Sequence, residues 1–201
     1  MRIGKLIVSA VLAAVVLSVM VGVRTASATR ICPTNESACS SPNPTGTKYT
    51  ATLKSGSEAT FNAGFVTIKC TASSVGLEQT NAGGGAGTPI TGELTSLSFT
   101  GCGSNVFHVL ALGYGQVAWT SGVDGSLTGS GTRWEEVFGS TKCFYGGEIT
   151  SGFTVTGGAP ASGKATAVSL VKEAGSNSLC ATTAKWSAEY VFGQTAYVTE
   201  S

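Results

Sequence analysis

A single histidine, a single aspartate and a charged fraction of only 11% across 201 residues remove most of the familiar catalytic sets. A Ser-His-Asp hydrolase needs all three groups, and His108 and Asp124 are the sole members of their kinds. Asp124 precedes Gly125 and follows a strand-like stretch at 116–120. Asp-Gly is a preferred pair for tight hairpin turns, so a turn accounts for Asp124. His108 lies in an apolar strand, where a hydrogen-bonded structural histidine is the ordinary reading. No C-x-x-C spacing occurs. With one histidine the usual zinc ligand sets are missing, and no metal or cofactor is expected. There is also no basic patch of the kind that phosphate contacts require, so nucleic acid is not an expected partner.

The apolar residues are unevenly placed. Arg2 and Lys5 precede an uncharged, mostly apolar run over 6–23, and Ala26-Ser27-Ala28 follows. A basic start, an apolar middle and a small-residue A-x-A site read as a secretory signal peptide over 1–28, with cleavage after Ala28. An uncleaved anchor is the rival reading, because the run approaches the ~18 to 20 residues that span a bilayer. The A-x-A site favours cleavage. A lipid anchor does not fit, since Cys32 follows Thr29-Arg30-Ile31 rather than a small-residue box. No second run of spanning length occurs, so no membrane association is expected after cleavage. Removal of Arg2, Lys5 and Arg24 leaves nine basic residues against eleven acidic ones in 173 residues, moving the net charge from +1 to −2. That length suits one domain with a sizeable core.

All six cysteines, Cys32, Cys39, Cys70, Cys102, Cys143 and Cys180, lie beyond the signal. An even count in an exported chain reads as three disulfides. Six cysteines allow 15 pairings. The expectation adopted is sequential: Cys32 with Cys39 in a Pro-, Ser- and Asn-rich arm over 29–46, then Cys70 with Cys102 and Cys143 with Cys180. The arm is expected to be flexible and the single β-domain to span 47–201.

Residues 47–201 are rich in Gly, Ser, Thr and Val, with turn signals about every eight to twelve residues, the spacing of an all-β sandwich or barrel. Over 47–54, Tyr49, Ala51 and Leu53 alternate with Lys48, Thr50, Thr52 and Lys54. Over 64–70, Val66, Ile68 and Cys70 alternate with Thr67 and Lys69. Period-two alternation places one face in the core and the other in water. Leu97 and Phe99 share a face in 94–100, and Gly101-Cys102-Gly103 bends that strand's end. Residues 106–112 are apolar on both faces, which predicts a central strand. Over 185–192, Trp186, Ala188, Tyr190 and Phe192 face the core opposite Lys185, Ser187 and Glu189. The glycine-rich stretch 79–87 predicts an exposed mobile loop, because each glycine loses much backbone entropy on ordering. It is no phosphate loop, since Thr88-Pro89 opens a strand where that motif needs a lysine and a helix.

Two places remain for chemistry. In Arg133-Trp134-Glu135-Glu136-Val137-Phe138 the two glutamates point to opposite faces of a strand, so they cannot flank one sugar bond. Glu136 shares a face with Trp134 and Phe138, a setting that raises a carboxyl pKa and suits an acid catalyst. Its partner carboxylate is not evident, and a salt bridge to Arg133 or a nearby lysine is the plainer expectation. Trp119, Trp134 and Tyr145 could form a sugar-binding platform, although core packing is the commoner role of such rings. The sequon Asn35-Glu36-Ser37 serves as a glycan acceptor only where the host glycosylates it.

The step Phe99-Thr100-Gly101-Cys102 and the late run from Cys180 through Trp186, Ala188 and Tyr190, behind a signal peptide, resemble a group of uncharacterised secreted proteins of high-GC Gram-positive (actinobacterial) bacteria. The resemblance implies an exported β-fold and brings no activity with it. The sequence therefore predicts an all-β, disulfide-stapled antiparallel sandwich or flattened barrel. Its expected role is a secreted, non-enzymatic extracellular or cell-wall-associated module that binds a protein or a glycan. A small carbohydrate-active hydrolase using Glu136, or a structural envelope component without a site, are the alternatives.

Overall fold

A computed structural model describes residues 28–200; the expected signal peptide therefore lies almost wholly outside the described residues. Within them the chain is all β, without a helix. The strands are β1 (Thr29–Cys32), β2 (Lys48–Leu53), β3 (Ala59–Ala63), β4 (Val66–Cys70), β5 (Ala72–Gln79), β6 (Ile90–Thr100), β7 (Val106–Ala111) and β8 (Tyr114–Ser121). They continue as β9 (Asp124–Ser130), β10 (Arg133–Phe138), β11 (Thr141–Gly146), β12 (Phe153–Thr156), β13 (Ser162–Lys172), β14 (Thr183–Phe192) and β15 (Tyr197–Glu200).

Eight strands close an antiparallel barrel in the order β14-β2-β5-β6-β8-β9-β12-β13, with β13 returning to pair with β14. Closure removes the free edges that an open sheet of this size would leave. The alternation seen in sequence sets the walls: Tyr49 and Ala51 from β2, and Ala188 and Tyr190 from β14, are buried between exposed or half-exposed neighbours.

Strands β13 and β14 are long enough to serve two layers. The C-terminal part of β14 pairs with β2 inside the barrel, while Lys185–Ser187 pair with β3, which carries β4. Likewise β13 pairs with β12 through its first half and with β11 through Val171 and Lys172. Beyond β11 lie β10 and then β7. A bulge between Ala165 and Val168 divides the two halves of β13. Ala167 takes a left-handed φ of 50° there, and its N–H donates to Ser187 Oγ at 2.9 Å. Such a bulge bends its strand, and here it separates the barrel half from the half that supports the outer layer.

The core fills the space where the two layers meet. Phe61 is its hub, with ring centroids of Phe107 at 4.4 Å, Phe99 at 5.0 Å and Trp134 at 5.6 Å. The cysteines pair in chain order, Cys32–Cys39, Cys70–Cys102 and Cys143–Cys180, with no free thiol. The latter two close loops of 32 and 37 residues at the border of this core.

Three local expectations differ from the fold. The arm over 29–46 begins with β1, which pairs antiparallel with β15 and lies against one end of the barrel. Thr29 is buried, and its Oγ1 accepts the Trp119 backbone N–H at 2.9 Å. The turns after β1 are tied down by a buried chain in which Asn43 Nδ2 donates to Tyr49 Oη and Tyr49 Oη donates to Gln79 Oε1, each at 2.9 Å. The glycine-rich stretch is likewise docked. Gly84 N–H donates to Thr29 O at 3.0 Å, and a Cβ on Gly83 would collide with that same carbonyl. These glycines provide close approach to β1, a use that composition does not distinguish from looseness. Third, β7 is an edge strand, not a central one: Val106, Leu110 and the adjoining Leu112 are exposed, whereas Phe107 packs on the core.

The hairpin at Asp124 exists, with a shifted turn. Ser121 pairs with Asp124, so the two-residue loop is Gly122-Val123, with Gly122 at φ 56°. Gly125 is instead an inward strand position, where a Cβ would meet Val117 and Val198 at 2.9 and 3.2 Å.

Candidate functional site

The outer face of the β8–β9 hairpin carries a concave surface lined by polar side chains. Tyr114 pairs with Ser130 and Gln116 with Thr128, so strand alternation sends all four side chains outward while Val117 and Leu127 turn inward. After β11 the chain runs back along β9. Gly129 N–H donates to Ile149 O at 2.9 Å and Ile149 N–H to Gly129 O at 2.7 Å. Ile149 packs against the core, leaving its neighbours Glu148 and Thr150 on the outside.

The result is an open cleft of about 320 Å³ between the Tyr114–Ser130 and Gln116–Thr128 pairs on one side and Glu148 and Thr150 on the other. The Tyr114 side of this cleft is well exposed, at 55%. The polar side-chain atoms of Gln116, Thr128, Ser130, Glu148 and Thr150 make no hydrogen bond or ion pair among the described residues. An amide, three hydroxyls and one carboxylate therefore face solvent beside an aromatic ring, available to a ligand rich in hydroxyl groups. The cleft lacks a second carboxylate, a histidine and a thiol.

The residues singled out from sequence fall elsewhere and do not meet. Trp134 and Tyr145 are cross-strand partners on β10 and β11, both turned inward and buried. Trp119 is half-buried near the turn of the β8–β9 hairpin, its Nε1 donating to Gly122 O at 3.0 Å. The three rings thus form no common platform; two pack in the core. The outward ring is Tyr114, which composition alone does not separate from the other tyrosines. Its signal is positional: an aromatic between Gly113 and Gly115 at the start of an alternating strand.

Glu135 and Glu136 do take opposite faces. Glu135 Oε1 lies 2.8 Å from Lys142 Nζ, and its Oε2 lies 4.0 Å from His108 Nε2. His108 is mostly exposed there rather than a core histidine. Glu136 is fully buried, cross-strand from Cys143 on one side and Phe107 on the other. Neither of its carboxyl oxygens has a hydrogen-bond partner. Burial pushes its pKa up to about 7, the Trp134 indole offsetting a smaller part. The expected salt bridge is not formed; Arg133 pairs with Glu173 and stacks over Phe144. A glycosidase acid must reach its substrate, and Glu136 does not border the cleft. The hydrolase arrangement built on Glu136 is therefore not assembled.

Among the described residues no three His, Cys, Asp or Glu side chains are grouped to hold a metal ion. Compared with protein-family models, curated proteins and solved structures, the chain matches none.

Proposed function

We propose that the protein is an exported, non-enzymatic module that works outside the cell or at the cell wall and binds a glycan in the cleft beside Tyr114. The carrying observation is that cleft: an exposed aromatic ring flanked by unpaired amide, hydroxyl and carboxylate groups from β8, β9 and the segment bridged to β9 through Ile149. Its volume lies near the lower end of the range for small-molecule sites, which suits a short saccharide segment. Three disulfides fit an oxidising compartment. The sequence supports the same reading through the segment over 1–28 and through its likeness to secreted β-proteins of high-GC Gram-positive bacteria.

The test is calorimetric titration of the secreted protein with a panel of soluble wall polysaccharides and oligosaccharides. Tyr114→Ala is expected to weaken binding about tenfold, the loss of one ring contact of ~1.4 kcal/mol. Trp119→Phe, outside the cleft, leaves it unchanged. A panel without a binder, or a Tyr114→Ala variant with unaltered affinity, refutes the assignment. N-terminal sequencing of the secreted chain checks the cleavage after Ala28.

A further inference from the structure

The barrel interior is incompletely filled, and its empty space has a direction. Three cavities of about 80, 60 and 60 Å³ lie within it, and Leu77 and Leu127 border all three. The largest reaches toward Trp134 and Trp186, where the outer layer begins. The other two reach toward Ile31 on β1, which lies at the opposite end. No charged residue borders the first two cavities. The third includes Glu78, whose carboxylate points to Lys48 at 3.7 Å.

The space arises from small residues at inward positions. Gly115 borders both the first and the third cavity. A Cβ there would meet only Thr128 O at 3.3 Å and Leu127 at 3.9 Å, so a side chain is missing where there is room to begin one. Ala51 plays the same part on the opposite wall. Eight-stranded barrels either fill their interiors with side chains or keep room for one small ligand.

We propose that the barrel interior, whose first cavity shares Tyr114, Gly129, Ser130 and Ile149 with the border of the glycan cleft, is a second binding site that takes a single unbranched alkyl chain. Two observations select this class. Apolar cavities stay dry and accept apolar guests, and one of ~150 Å³ already admits benzene. Each cavity here is smaller, so a bulky ring is excluded while a slender chain can thread from one to the next. Hydroxyl-bearing residues border all three cavities, Tyr49 among them at the second and third, and no cation stands among the residues lining the first, whose surface is almost wholly apolar. An uncharged polar end, such as an alcohol, suits that position better than a carboxylate.

The probe is 1-octanol titrated into the full secreted chain, followed by tryptophan emission, because Trp134 and Trp186 border the largest cavity. A saturable change is expected, with 1-adamantanol giving none at the same concentration. Gly115→Val and Ala51→Leu, which place side chains in the cavities, are each expected to weaken octanol binding about tenfold or more. Both variants are first checked for a wild-type melting transition; if one fails to fold, the other and the adamantanol comparison decide. A linear, unsaturable response overturns the proposal. So does equal binding of adamantanol, or wild-type affinity in a folded cavity-filled variant. Glycan titration of the same samples reads the outer cleft separately, so failure at one site is distinguishable from failure at the other.

Discussion

Replacing Glu136 with glutamine should change how the stability of this protein depends on pH, by an amount the structure sets. Glu136 is fully buried without a hydrogen-bond partner, and its carboxyl is raised from 4.5 to about 7. In the unfolded chain the group ionises near 4.5, whereas in the folded chain it keeps its proton until about 7. Between those values the native state holds one more proton than the unfolded state, so stability falls as pH rises. Below the unfolded value there is no penalty, and above the folded value the penalty is constant. Each pKa unit is worth ~1.4 kcal/mol, so the full cost is about 3 kcal/mol. Glu136→Gln does not titrate, and the other carboxylates are common to both proteins. The stability difference, variant minus wild type, should therefore be flat under about pH 4.5, climb with pH and level off above about pH 7, having grown by about 3 kcal/mol. Urea unfolding of both proteins at half-unit steps, with disulfides intact, measures it. A difference that does not vary with pH would show that Glu136 is ionised or hydrated in the native state, and the reasoning fails.

The packing sets two further outcomes. The double variant Cys143→Ala with Cys180→Ala opens a loop of 37 residues and should lose about 3 to 4 kcal/mol, read from thermal or urea melts against the wild type. Gly83→Ala puts a Cβ against the Thr29 carbonyl at a φ of 65°, so β1 should detach from the barrel end, and limited proteolysis should cut within 29–46 far sooner than in the wild type; an unchanged digestion pattern refutes the docking role of that glycine.

Much of the local structure is legible in the chain because alternation is a local property. The inward set Trp186, Ala188 and Tyr190 and the opposite faces of Glu135 and Glu136 both come from the period of a strand, and both are realised. The same rule misjudges 106–112. Apolar residues on both faces are compatible with a central strand and equally with an edge whose outer face is left uncovered, and only the order of strands separates these cases. Asp-Gly points to the right hairpin and the wrong turn, because Gly122, which precedes Asp124 by two positions, already supplies the left-handed residue. The aromatic candidates Trp119, Trp134 and Tyr145 stand out by size, whereas a ring's availability depends on which face of which layer it occupies. Size does not single out Tyr114.

Composition and order along the chain determined the class of object: an all-β domain with few charges, lacking the parts of common nucleophilic and zinc sites; which of the fifteen cysteine pairings forms, the sequential one, was decided by the tertiary structure. Tertiary structure decided that the sheet closes, that β13 and β14 are shared by two layers, and that a glycine-rich stretch is packed against β1. It also brought Glu148 and Thr150 beside Tyr114, residues more than 30 positions apart in sequence. The physical reason is the range of the interactions. Side-chain alternation and turn chemistry act over a few residues and are written in the local sequence. Barrel closure and the cleft depend on pairing between distant strands, where one register out of many buries the most apolar surface.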